Sequence, residues 1–287
     1  MDSKRLYTPS RIKEILNHHG FTMTKSLGQN FLIDGNTVRG IVDGAKISEG
    51  DRILEIGPGI GTLTEELALR GKSVLAIEKD QRLKPILDET MADYDNVEIL
   101  FSDVLKLDIK EEWEKRFGED PVHIVANLPY YVTTPILGAL FDLDLNLKTL
   151  TVMVQKEVAE RMCANPGKKD YGALSLFIRY HSQPEIIRQV PNSVFIPRPK
   201  VDSAVVFMEV KEKDPALEKE KFFRIVKAAF SKRRKTILNA LSTYGFSIDK
   251  QEIRDILSRA NIDSIRRAET LSLTDFIVLS LNFPDEF

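Results

Sequence analysis

Arg52-Ile-Leu-Glu-Ile-Gly-Pro-Gly-Ile-Gly-Thr62 begins as an apolar run and breaks into three glycines spaced at every second position. A helical pattern follows over 62–70, so the stretch reads as a buried strand turning sharply into a helix. Glycine lets the backbone approach a ligand closely, and the start of a helix offers N–H groups without partners. The spacing is G-x-G-x-G. It is not the dinucleotide fingerprint G-x-G-x-x-G, because position 62 is Thr, and no Gly-Lys-Ser/Thr follows to make a P-loop.

Working outward, the same rhythm repeats. Apolar, β-branched runs at 52–56, 73–77, 97–101, 123–127 and 149–154 alternate with helical patterns at 62–70, 81–90, 111–117 and 133–141. Strands alternating with helices predict a doubly wound, mostly parallel α/β sheet covered on both faces. A basic helix over 9–19 precedes it, with Thr8 as N-cap and Pro9 at the first helical position. After a helix near 173–180, runs at 185–190 and 204–210 are expected to close the sheet as an antiparallel edge hairpin. The charged stretch 211–220 carries a proline and reads as a linker. Beyond it the pattern is helical only, near 218–231, 235–244, 250–259 and 274–282. The expectation is an α/β domain over 1–210 and a small all-helical domain over 211–287.

The 287 residues carry 41 Lys+Arg against 43 Asp+Glu, with 43% apolar and 29% charged positions. That composition supports a real core and excludes collagen-like, coiled-coil and wholly disordered readings. One cysteine, Cys163, excludes an internal disulfide and a zinc site of paired thiolates. His18, His19, His123 and His181 are too scattered to suggest a metal cluster, so no metal is expected. The single cysteine and the lack of a signal peptide fit a reducing cytoplasm. Residues 121–141 lack Lys, Arg, Asp and Glu, but Pro129 and Pro135 interrupt them, which argues against a membrane span.

Ligands bind at the carboxyl ends of strands in such sheets, and four consecutive ends carry suitable groups. Gly57 and Gly59 follow the first strand. Glu78 follows the second, where a carboxylate can accept both ribose hydroxyls, of NAD or of S-adenosylmethionine alike. Asp103 ends the third and could accept from an adenine amino group. For each acid singly, a helix N-cap is the bland alternative. Asn127-Leu128-Pro129-Tyr130 ends the fourth. An exocyclic adenine nitrogen is a poor nucleophile because its lone pair is delocalised into the ring. An Asn carbonyl and a backbone carbonyl held by proline can accept both amino hydrogens and aim that lone pair. Tyr130 could stack on the base, and Phe195, on the loop stiffened by Pro197 and Pro199, could hold its other face.

Residues 221–248 contain seven Lys or Arg and no acid. On a helical wheel Phe222, Val226, Phe230 and Ile237 face a core while Lys221, Arg224, Lys227 and Arg234 project elsewhere. With Lys232, Arg233 and Lys235 this suits phosphate contacts better than a merely solvated face. Arg5, Arg11 and Lys13 could extend the surface.

Taken together, these motifs resemble the small-subunit (16S) ribosomal RNA adenine N6,N6-dimethyltransferase family. The resemblance spans essentially the whole chain and includes Leu27-Gly-Gln-Asn-Phe-Leu32, Glu55-Ile-Gly-Pro-Gly-Ile-Gly-Thr-Leu-Thr64, Asn127–Tyr130 and Phe195-Ile-Pro-Arg-Pro-Lys-Val-Asp-Ser203. It implies a class I methyltransferase (Rossmann-like) fold and S-adenosylmethionine as methyl donor. By that resemblance Asn30, Leu32, Gly57, Gly59, Glu78, Asp103 and Asn127 line the donor site. Asn127 through Tyr130, with Phe195, hold the target adenine. The implied reaction dimethylates N6 of two adjacent adenosines in the 3′-terminal hairpin loop of 16S rRNA, on a small-subunit assembly intermediate, by a monomer. Three other readings stand beside it: a 23S rRNA adenine methyltransferase of the antibiotic-resistance type, a non-catalytic assembly factor, and an NAD dehydrogenase. The last leaves Asn127–Tyr130 and the basic segment unexplained.

Overall fold

Strands covered on both faces need apolar side chains on both, and Ile53, Leu54, Val74, Leu75, Ile124 and Val125 are all buried at 1% exposure or less. The computed structural model describes residues 5–24, 28–130, 132–212 and 217–285. Leu27 of the Leu27–Leu32 motif and positions 213–216 of the expected linker lie outside these residues.

The chain runs α1 (Pro9–His18), β1 (Phe31–Leu32), α2 (Gly35–Gly44), β2 (Arg52–Ile56), α3 (Thr62–Arg70), β3 (Ser73–Glu78), α4 (Lys84–Thr90) and β4 (Val97–Phe101). It continues through α5 (Ile109–Phe117), β5 (Val122–Asn127), α6 (Thr133–Asp142), β6 (Leu147–Gln155), α7 (Lys156–Cys163), α8 (Ala173–His181), β7 (Ser182–Val190), β8 (Phe195–Ile196) and β9 (Ser203–Val210). The last elements are α9 (Lys219–Phe230), α10 (Ile237–Ser242), α11 (Lys250–Arg259) and α12 (Leu273–Asn282).

Seven strands form one sheet in the order β4-β3-β2-β5-β6-β9-β7. The five from β4 to β6 are parallel, and β9 pairs antiparallel with β6. The chain winds outward from β2 through β3 and β4, then restarts at β5 on the other side of β2. Ligand crevices form at such a reversal, beyond the carboxyl ends of the strands. The edge runs expected as a hairpin are β7 and β9, joined through β8, which leaves the sheet to pair with β1. Apolar residues of α2 and α3 cover one part of the sheet (Val38, Ile41, Val42, Leu63, Leu67). Those of α1 and α4 cover another (Ile12, Ile15, Ile86, Leu87).

Two compact units result: Met1–Ala159 with Glu185–Val210, and Glu160–Pro184 with Lys211–Phe287. The sequence reading assigns all of 1–210 to the first domain, and the structure differs over 160–184. The reason is apolar burial: Tyr171 and Leu176 join the core built by Phe222, Ile225, Ile253 and Phe276. Tyr180 packs on Phe222 with ring centroids 4.8 Å apart. Among the described residues, no helix is long and apolar enough to cross a membrane.

Phe222 is fully buried in this second core. Phe222→Ala is expected to destabilise the protein by about 3–5 kcal/mol through lost contacts and the cavity left behind, measured by urea unfolding.

Candidate active site

Gly57, Gly59 and Gly61 all hold the left-handed conformation, with φ of +74°, +62° and +90°. Side chains avoid that region, which is why the corner after β2 is written in glycine. At Gly59 a Cβ would sit 2.9 Å from the Phe31 ring, so the loop runs tight against the strand that enters the cleft. The same cleft is lined by Asn30, Leu32, Gly57, Gly59, Glu78, Asp103, Asn127, Leu128, Pro129 and Tyr130. Every expected donor-site residue and all but one of the base-handling residues therefore share one crevice.

Glu78 lies at the end of β3 and is only 7% exposed. Its carboxylate accepts the Gly59 N–H through Oε2 at 3.1 Å and the Asp80 N–H through Oε1 at 2.8 Å. Burial raises its pKa, opposed by those N–H bonds. Asp103, half-buried, is paired with Lys79 Nζ at 3.0 Å and accepts the Leu105 N–H at 3.1 Å. The Lys79 contact holds its carboxyl below the ordinary value.

Asn127 is fixed from the other side of the crevice. Its Nδ2 donates to the Asn30 carbonyl at 3.3 Å, while Asn30 Nδ2 donates to the Gly28 carbonyl at 2.9 Å. With the amide nitrogen engaged, the side-chain oxygen remains available as an acceptor. Leu128 is buried and its N–H bonds to the Met153 carbonyl at 3.2 Å, and Pro129 follows directly. The half-buried Tyr130 has its hydroxyl 2.7 Å from Ser203 Oγ, a residue with no exposure.

Phe195 corrects an expectation. It is 3% exposed, packs in the core with Val125, Met153 and Val205, and is absent from the lining of the cleft. Pairing of β8 with β1 sets Phe195 opposite Leu32 and turns its ring inward, so no face is open to a base. The basic segment also differs in part. Lys221 is buried and ion-paired with Asp285 at 2.9 Å, whereas Lys227, Lys232, Arg233, Arg234 and Lys235 are exposed. Arg224 is exposed as well, with its guanidinium 5.5 Å from the Phe246 ring centroid. Arg5 lies 3.5 Å from the Glu65 carboxylate, and Arg11 3.2 Å from that of Glu14. The histidines are less scattered than their spacing suggests. Ligand atoms of His18, His19 and Glu89 lie within 4.8 Å of one another, with His19 Nε2 bonded to the Glu89 carboxylate at 2.7 Å.

Sequence reasoning missed three supports. Gln29 donates to Asp80 at 2.7 Å and accepts the Thr24 N–H at 2.9 Å. Arg82 holds Asp80 at 2.6 Å and keeps its carboxyl below the usual range. These contacts tie the segment carrying Asn30 to the end of β3. Ser203 was visible only as the last letter of the Phe195–Ser203 motif. Glu55, inside the glycine motif, is 1% exposed with no partner for Oε2. Burial pushes its carboxyl up to about 8, opposed by Thr64 and reinforced by the charge of Glu78.

A family model described as Ribosomal RNA adenine dimethylase matches residues 20–278. The chain is 51% identical to the ribosomal RNA small subunit methyltransferase A of Alkaliphilus oremlandii, over 97% of this chain and 98% of that protein. It is 49% identical to the protein of the same name from Clostridioides difficile, over 96% of each. Among solved structures, a dimethyladenosine transferase from Plasmodium falciparum superposes with a TM-score of 0.76 at 26% identity, over 87% of this chain and 95% of that one. The 23S rRNA methyltransferase ErmE gives 0.69 at 25% identity, over 88% and 98%.

Glu55 sets a pH dependence of stability. Its folded value of about 8 lies above the ordinary 4.5. The stability it contributes is complete below pH 4.5 and is lost as pH rises towards 8. Glu55→Gln is expected to flatten that descent in urea unfolding compared at pH 5 and pH 8.5. Parallel curves for the two proteins would show that Glu55 is charged throughout.

Proposed function

The chain belongs to the ribosomal RNA adenine dimethylase family, and we propose from that premise that its cleft moves methyl groups from S-adenosylmethionine to N6 of adenines in 16S rRNA. Its sheet is that of the class I methyltransferases. The targets in this reading are two adjacent adenosines in the 3′-terminal hairpin loop, each dimethylated. The partner is 16S rRNA within a small-subunit assembly intermediate, met in the cytoplasm by a monomer.

The donor fits the residues present. The glycine corner leaves room where side chains would intrude, and each Glu78 oxygen has a lone pair beyond its N–H bond for a ribose hydroxyl. Asp103 accepts at the adenine end, with Asn30 and Leu32 forming the opposite wall. When bound, S-adenosylmethionine supplies a methyl carbon made electrophilic by its sulfonium. The chain's own part is to hold and orient the target amine. Asn127 Oδ1 and the Leu128 carbonyl, stiffened by Pro129, accept the two amino hydrogens and favour a pyramidal nitrogen with its lone pair exposed. Tyr130, anchored by Ser203, stacks on the extruded base. The methylated nitrogen is acidic and sheds its proton to water, so no strong base is required. Phe195 supports Leu32 from behind. Arg224, Lys227, Lys232, Arg233, Arg234 and Lys235 contact phosphates, and Lys221 does not.

The observation that carries this reading is the Asn127 amide, pinned through its nitrogen at 3.3 Å in the crevice that holds Glu78. A 23S substrate is not favoured, because relatives about half identical over nearly the whole chain are named for the small subunit. Retention of both the Glu78 and Asn127 groups speaks against a binding-only factor.

Incubation with labelled donor and either unmethylated small subunits or large-subunit RNA tests the reading. Label is expected as N6,N6-dimethyladenosine in 16S rRNA; label confined to 23S rRNA would overturn it. Glu78→Ala is expected to weaken donor binding at least tenfold in calorimetry, since hydrogen bonds to a charged group contribute about 1.5–3 kcal/mol. Tyr130→Ala is expected to keep donor affinity and slow RNA turnover by about 5- to 150-fold, the loss of about 1–3 kcal/mol of stacking.

A further inference from the structure

The cations at 232–235 sit on the turn between α9 and α10, all exposed. None of the four takes part in an ion pair among the described residues, although exposed cations elsewhere do, as Lys84 with Asp88 and Lys110 with Asp144. One of them reaches sideways: Arg233 Nη2 donates to the Lys169 carbonyl at 2.8 Å. The turn it touches, residues 165–170, carries two more exposed cations, Lys168 and Lys169, neither in an ion pair among the described residues.

That second turn is built rather than loose. The Lys168 N–H bonds to the Asn165 carbonyl at 3.2 Å, and the Gly167 N–H to the Glu269 carbonyl at 2.7 Å. Gly167 adopts φ +82°, as the turn requires. Tyr171 closes it. Its N–H bonds to the Lys168 carbonyl at 3.1 Å, its ring is 4% exposed, and its hydroxyl donates to the Leu271 carbonyl at 2.8 Å. The nearby acids, Asp170 and Glu269, pair with none of the six cations. Six like charges gathered on two pinned turns repel one another, and a polyanion relieves that repulsion by replacing its counterions with them.

We propose that the 165–170 turn is part of the RNA-binding surface, presenting Lys168 and Lys169 to phosphates beside the cations at 232–235. The proposal rests on the RNA reading above and adds a contact surface outside the basic helix-turn segment.

Binding of the full-length protein to unmethylated small ribosomal subunits, measured against KCl concentration, tests it. Each phosphate contact contributes roughly 0.7–0.9 to the slope of log affinity on log salt. The K168A/K169A variant is expected to lower the slope by between about one and two and to bind roughly tenfold more weakly at 100 mM KCl. K168R/K169R is expected to keep the wild-type slope, and S-adenosylmethionine affinity in calorimetry is expected to be unchanged in both. An unchanged slope in K168A/K169A, with a lowered slope in Lys232→Ala, overturns this proposal and leaves the RNA reading standing. Unchanged slopes in both overturn the two together.

Discussion

A buried carboxylate gripping a backbone N–H is the constraint on which the cleft depends. Glu78 ends one parallel strand, and its Oε2 holds Gly59, the middle of the corner that ends the next. Burial makes such a charge costly unless hydrogen bonds compensate, so the two strand ends are locked to each other as the condition for keeping the acid inside. Because Gly59 runs against Phe31, the lock extends to the segment carrying Asn30, and Asn30 in turn orients Asn127. Glu55 shows the opposite solution to the same burial. Burial pushes its carboxyl up to about 8, with no partner for Oε2, which favours the neutral form and spares the glycine corner a second charge close to Glu78.

The chemistry asked of the cleft is mostly geometric. A weakly nucleophilic amine needs its hydrogens held and its lone pair aimed, and the acceptors for that are themselves held by neighbours. Asn127 is pinned through its nitrogen, Leu128 through its N–H, and Tyr130 through Ser203. Supports of this kind keep reacting groups within the narrow tolerance that proximity catalysis demands.

Much of this was legible in the sequence because the signals were local. The strand at 52–56 and the helix at 250–259 appear with the expected bounds, since apolar runs ended by Gly or capped by Asp249 leave little choice. Helix α2 escaped because Gly35, Gly40 and Gly44 argue against helix. Tertiary approach is what they serve, with a Cβ at Gly35 falling 2.6 Å from the Tyr7 ring. Asp34, which accepts the Thr37 N–H, was the overlooked signal. Phe195 was misread for a related reason. A proline-rich context predicts a stiff loop but says nothing of which way a ring turns, and that was decided by the two-residue pairing with Phe31–Leu32. The Gln29–Asp80 and Ser203–Tyr130 contacts join residues far apart in the chain, beyond any spacing rule. The placement of 160–184 in the second unit likewise follows from where Tyr171 and Leu176 find apolar partners.

A crystal structure of the protein with S-adenosylhomocysteine and adenosine shows how the cleft holds the donor product and the target base. The ribose hydroxyls of the homocysteine product are expected on Glu78, with the Gly59 contact kept. The adenosine amino nitrogen is expected within hydrogen-bond distance of both Asn127 Oδ1 and the Leu128 carbonyl. An amino group turned away from those two oxygens, or a ribose bound without Glu78, would contradict that arrangement.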